Sequence, residues 1–190
     1  MVGTYLRFQK NMNNKKKYIF LLMTMIWSWT FWFIGLNLLA DGINQESIGK
    51  FLIFFFTGVY GPSISAIVTT FIFNGIEGVL NLLKKLFIWN VPFKIYVYLI
   101  ILPIIFVIIG IGLYYIFIGA IGNFDLTAFL SIPTILWAGF YAGPLGEELG
   151  WRGFLLPELQ KEHTNLKSAI IIGVIWFIWH IPLWWAPFGT

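Results

Sequence analysis

The 190-residue chain has no cysteine, and only 11% of its residues are charged. The first absence excludes a disulfide scaffold, thiolate metal sites and a cysteine nucleophile. The second excludes a water-soluble globule, in which about 25% of residues are charged. A disordered chain is excluded on other grounds: it would be poor in aromatics, and Phe, Trp and Tyr make up 20% here. No phosphate-cradling or dinucleotide glycine motif occurs. A Ser/His/Asp triad has no support, because Asp41 and Asp125 lie in loops between apolar runs. What remains is a chain that is 59% apolar and organised in long charge-free runs.

Those runs predict an all-α, polytopic membrane helix bundle of about five transmembrane helices with one amphipathic interfacial helix. Tyr18 to Ala40 is charge-free and long enough to cross a ~30 Å hydrocarbon core. It is too long for a signal peptide, and Leu38-Leu39-Ala40 offers no cleavage pattern. Phe51 to Phe73 is the second span, with Gly61-Pro62-Ser63 predicting a kink or close packing at its middle. From Asn74 to Pro92, Ile76, Leu80, Leu83 and Phe87 fall on one helical face. Glu77, Asn81, Lys84 and Lys85 fall on another, the pattern of an interfacial helix. Ile95 to Ile118 is the third span, followed by a turn at Gly122 to Leu126. The fourth is placed at 135–156, kinked near Pro144, and the fifth at 168–188. The domain reading is a basic N-terminal segment, 1–17, followed by a transmembrane bundle, 18–188.

The net charge of +4 does not point to nucleic acid, because the aromatics sit inside apolar runs and are not interleaved with Lys and Arg. It points to sidedness. Arg7, Lys10, Lys15, Lys16 and Lys17 precede the first span; Lys84, Lys85 and Lys94 follow the second; Arg152, Lys161 and Lys167 follow or end the fourth. Only Lys50 lies on the other side, so the positive-inside rule makes the N-terminus cytoplasmic. The expected location is an integral position in a bacterial plasma membrane.

Four ionisable side chains then fall at membrane depth: Glu147, Glu148, Arg152 and His180. Each charge there costs roughly 2.5–3.5 kcal/mol on insertion scales, so such groups mark function by default. At helical rise Glu147 lies ~13 Å in from Leu156 and His180 ~18 Å in from Ser168, which lets the two meet. Glu148 and Arg152 are spaced i,i+4 in the favourable acid-first order. Glu147 lacks that partner and is the freer carboxylate, suited to general-base work on a water beside His180. Glu147 and His180 are equally a pair of zinc-type ligands, too few for a complete site. A purely structural role, an ion pair locking a helix and a polar link between spans, also fits these residues. His163 belongs to a solvated loop beside Lys161 and Glu162 and carries no functional expectation. Trp176, Trp179, Trp184 and Trp185 cluster about His180 and are expected to keep it dry. Gly143, Gly146 and Gly150 are expected to let helix backbones approach closely.

Glu147-Glu148-Leu149-Gly150-Trp151-Arg152-Gly153, running into Phe154-Leu155-Leu156-Pro157, resembles the EExxxR motif of the CPBP (CAAX protease and bacteriocin-processing) family. That family includes the type II CAAX prenyl endopeptidases and many Abi-type bacterial proteins. Its aromatic-xxx-His motif, usually F-x-x-x-H, is matched by Trp176-Phe177-Ile178-Trp179-His180, with Trp for Phe. The motif region is placed at about 130–190. The resemblance implies an intramembrane endopeptidase in which Glu147 and His180 activate a water and Glu148 and Arg152 shape the site. It leaves open one divalent metal, zinc, on Glu147 and His180 or a metal-free mechanism. The implied partners are a peptide or membrane-protein substrate and the bilayer. The family pattern continues with a second intramembrane His followed four residues on by Asn or Asp, whereas the chain stops at Thr190. A fragment or a degenerate member is therefore expected. The alternative function is non-catalytic bacteriocin self-immunity or membrane scaffolding.

Overall fold

The computed structural model describes residues 2–40, 42–119 and 139–186, with side chains from 15 onward except those of 141, 142 and 144. Among these residues every regular element is helical. They run α1 (Val2–Asn37), α2 (Gln45–Val59), α3 (Gly61–Lys84), α4 (Phe93–Ile118), a π-helix (Tyr141–Leu155), α5 (Leu156–Gln160) and α6 (Asn165–Trp179). Short 3-10 turns occupy Lys85–Phe87 and Ile181–Trp185. Four helical stretches are long and apolar enough to cross a membrane: Lys15–Asn37, Gln45–Phe87, Phe93–Ile118 and Asn165–Trp185. They carry the first, second, third and fifth predicted spans, so the structure has the polytopic all-α character read from the sequence. The predicted fourth span begins outside the described residues. From Tyr141 it is the π-helix, and Glu147, Glu148 and Arg152 keep it out of that set of four. The predicted turn Gly122–Leu126 and both loop aspartates also lie outside the described residues.

The chain divides into two units, Met1–Leu86 with Trp137–Thr190, and Phe87–Leu136. In the second unit, α4 is apolar after Lys94, contains Pro103 and is long and apolar enough to cross a membrane. It ends at Gly119, whose φ of 82° is the left-handed cap that glycine adopts without strain.

The first unit holds the core, in which Phe20, Trp32, Ala66, Leu155 and Trp179 are fully or almost fully buried. Its second predicted span is interrupted where Gly61-Pro62-Ser63 led one to expect: α2 stops at Val59, and α3 starts at Gly61 with Pro62 in its first turn. A helix end inside a membrane leaves carbonyls that no water can satisfy, and α1 supplies the donors. Trp27 Nε1–H donates to the Thr57 carbonyl at 2.8 Å, Ser28 Oγ–H to that of Gly58 at 2.7 Å, and Trp32 Nε1–H to that of Phe55 at 3.0 Å. Two glycines permit that approach: a Cβ at Gly58 would fall 2.4 Å from Trp32 Nε1, and one at Gly61 would fall 2.1 Å from Ser28 Oγ.

Two boundaries differ from expectation. The basic N-terminal residues 2–17 are the start of α1, which is helical from Val2. The amphipathic segment is the continuation of α3 past a non-helical Gly75, φ 64°. The packed face of that segment is Val79 and Leu82, while Ile76, Leu80 and Phe87 point outward. The predicted fifth span ends early: Pro182 cannot extend a helix, so α6 stops at Trp179 and His180 is its cap residue. At the predicted cytoplasmic end, Lys16 Nζ donates to Asn74 Oδ1 at 3.1 Å, and Lys17 Nζ pairs with Glu162 Oε2 at 2.8 Å. The start of the first span, the middle of α3 and the loop before α6 thus meet at one end.

Candidate active site

The EExxxR residues lie on the π-helix. Its i→i+5 pattern is rare in runs longer than one turn and is frequently found at functional sites. The helix packs on the start of α3. Ser63 Oγ–H donates to the Leu145 carbonyl at 2.9 Å. A Cβ at Gly150 would fall 2.5 Å from the Pro62 carbonyl carbon and oxygen, so the two backbones approach as only glycine allows. Gly146 is also buried. Gly143, expected to share this role, would place a Cβ with nothing within 4 Å. At the other end of the π-helix, Lys85 Nζ donates to the Gly153 carbonyl at 2.6 Å. The sequence places Lys85 on a polar face and among the basic residues after the second span; an ammonium near a helix C-terminal carbonyl is the signal for this further role.

Glu148 and Arg152 form the predicted pair, Nη1 to Oε1 at 2.8 Å. Both side chains are substantially exposed, so the pair is no buried lock. Arg152, Leu156, Ala169, Ile172, Gly173 and Trp176 line a cleft of about 240 Å³ between the π-helix and α6. Glu147 faces α6, and its Oε2 accepts from Trp176 Nε1–H at 2.8 Å. His180 is half-buried. Its Nδ1 is 2.8 Å from the main-chain carbonyl of Trp176, and its ring lies edge-on to that indole at 4.1 Å between centroids. Glu147 and His180 are therefore both held by one residue, Trp176. Sequence reasoning counted Trp176 as packing and missed its N–H as the partner of Glu147. An indole in place of the usual phenyl, facing a lone carboxylate, was the available sign.

The aromatic shell differs in part from expectation. Trp176 and Trp179 flank His180 as predicted, and Trp32 of α1 stacks on it at 6.1 Å. Trp184 instead packs on Phe177 at 4.7 Å, and Trp185 is largely exposed. Trp29 Nε1–H donates to the Trp179 carbonyl at 3.0 Å, satisfying the last turn of α6. Among the described residues no group of three or more His, Cys, Asp and Glu side chains could hold a metal. Glu147 and His180 offer two donors, fewer than a closed or catalytic zinc site takes from protein, and no step below passes through a metal.

Fold and site together define a class: a polytopic α-helical membrane protein in which one indole, Trp176, contacts both a carboxylate, Glu147, and an imidazole, His180. The comparisons narrow that class. Residues 128–190 match the family model described as "Type II CAAX prenyl endopeptidase Rce1-like". The chain is 27% identical over 175 residues to "CAAX prenyl protease 2" of Methanococcus maripaludis, a match covering 87% of this chain and 61% of that protein. Both findings support the CPBP/CAAX-protease family that the two motifs resemble. The chain thus spans about three fifths of the length of this curated relative.

Proposed function

We propose that the chain carries the glutamate–histidine half of an intramembrane endopeptidase of the CAAX-protease type. The observation that carries this reading is the convergence of Glu147 and His180 on Trp176 within an apolar helix pair. A water held between the Glu147 carboxylate and the His180 ring gives its proton to Glu147 as its oxygen attacks the peptide carbonyl. Collapse of the tetrahedral intermediate breaks the C–N bond, and the proton passes from Glu147 to the leaving amine, yielding a carboxylate and an amine. Arg152 forms a charged wall of the adjoining cleft, held by its pair with Glu148 and placed to orient a peptide. The substrate is a peptide or membrane protein presented from the bilayer, and a prenylated CAAX terminus is the first to try, given the relative's name. The test is cleavage by the full-length protein in proteoliposomes of a CAAX peptide, prenylated or not. Release of the C-terminal fragment is expected, and no cleavage of either peptide overturns the reading.

The membrane is read as a bacterial plasma membrane with the N-terminus in the cytoplasm, on the strength of 11 of 12 basic residues falling on one side. A cysteine placed at exposed Lys161 should react with an impermeant maleimide only after the cytoplasmic side is opened. Labelling in intact cells contradicts this orientation.

A further inference from the structure

Trp176 stands where the resembling family usually has phenylalanine, and its indole makes a bond that a phenyl ring lacks the atom to make. The Nε1–H donates to Glu147 Oε2 at 2.8 Å. Four residues along the same helix, the Trp176 carbonyl meets His180 Nδ1 at 2.8 Å. A carbonyl only accepts, so Nδ1 carries the hydrogen, and in the neutral ring the lone pair is left on Nε2. Trp176 as a whole residue is 43% exposed, so burial alone does not immobilise its side chain; the bond to Glu147 is its polar anchor. The same indole forms a wall of the cleft beside Arg152. A second indole, Trp151, lies next to Glu147. It is fully buried and packs edge-on against Trp179 at 5.6 Å.

We propose that Trp176 is a positioning residue for the hydrolytic pair: its side chain fixes the Glu147 carboxylate while its carbonyl fixes the orientation and tautomer of His180. Resting on the hydrolytic reading above, this adds a reason for Trp at that position. Glu147 is a flexible side chain on a rare helix type, and without the indole its carboxylate samples other rotamers. A hydrogen bond to an ionised group is among the stronger side-chain interactions, and misplacing a reacting group by about 1 Å costs on the order of 100-fold in rate.

The experiment pairs kinetics with a spectroscopic readout on the full-length protein in membranes or micelles. Trp176→Phe removes the N–H and keeps a ring against His180. Replacing Trp176 by benzothienylalanine keeps the bicycle and swaps N–H for sulfur, which guards against a packing defect. Both variants are expected to lower kcat roughly 10-fold with KM within about twofold. In 15N-tryptophan spectra, the indole cross-peak missing from Trp176→Phe should move when Glu147→Gln is introduced. Unchanged kcat in both variants overturns the proposal even where Glu147→Gln abolishes cleavage. An unmoved indole resonance in Glu147→Gln overturns it as well. If the wild-type protein cleaves nothing, the hydrolytic reading falls, and the resonance alone decides whether Trp176 anchors Glu147.

Discussion

Glu147→Gln is expected to slow peptide cleavage by the full-length protein about 10²- to 10⁴-fold, the range lost with a general base, and to leave its amount in the membrane unchanged. Glutamine has nearly the same shape, and its amide oxygen still accepts from Trp176 Nε1–H, the bond that glutamate makes at 2.8 Å. What it lacks is the capacity to take a proton from water. The fold should therefore survive while the chemistry stops, and thermal unfolding in detergent separates the two. Glu148→Gln is expected to lose less rate, because its carboxylate is already engaged by Arg152 at 2.8 Å. Near-normal turnover by Glu147→Gln would show that another group is the base.

Gly150→Ala is expected to destabilise the protein by about 1–3 kcal/mol, the usual cost of overpacking a tight contact. The added Cβ would lie 2.5 Å from the backbone of Pro62 and 2.6 Å from its Cβ. Backbone cannot rotate away as a side chain can, so the π-helix must move off α3. That movement would stretch the 2.9 Å bond from Ser63 Oγ–H to the Leu145 carbonyl and shift Glu147, two residues further along. Gly173→Ala is the control: its Cβ would have nothing within 4 Å, and alanine is the better helix former by about 1 kcal/mol. A lower unfolding midpoint for Gly150→Ala, with none for Gly173→Ala, is the result expected. Equal midpoints would mean that the close approach at Pro62 contributes nothing.

The sequence made the helical membrane class legible because lipid leaves so few options: charge-free runs of twenty residues, and the one-sided distribution of Lys and Arg, have little other meaning. The break at Gly61-Pro62 was legible for the same reason, through residues that close packing and helix starts require. What it hid were matters of tertiary partnership. Nothing local showed that Trp27, Ser28 and Trp32 would donate to the carbonyls at the end of α2, since the need arises only once α2 stops. The π-helical form of residues 141–155 was invisible to patterns built on 3.6 residues per turn. The inward face of α3, Val79 and Leu82, was hidden by a second apolar stripe at Ile76 and Leu80 on the same short segment. At the site, the i,i+4 spacing of Glu148 and Arg152 gave their ion pair directly, and the depth argument brought Glu147 and His180 to one level. His180 was nonetheless expected inside a helix, and Pro182 makes it a cap. Trp176 was read by its bulk when its N–H was the informative atom.

The most direct test of a shared Glu147–His180 site is cross-linking, made clean in this chain by its lack of cysteine. Glu147→Cys with His180→Cys should be joined rapidly by a short bis-thiol reagent in native membranes. Ser63→Cys with Leu145→Cys is the positive control, because the Ser63 side chain reaches the Leu145 backbone at 2.9 Å. Glu147→Cys with Leu166→Cys is the negative control, Leu166 lying ~21 Å along the helix from position 180. Efficient joining of 147 to 180, and none of 147 to 166, is the predicted result. Failure of the 147–180 pair while the 63–145 pair joins would contradict the shared site and the hydrolytic mechanism built on it.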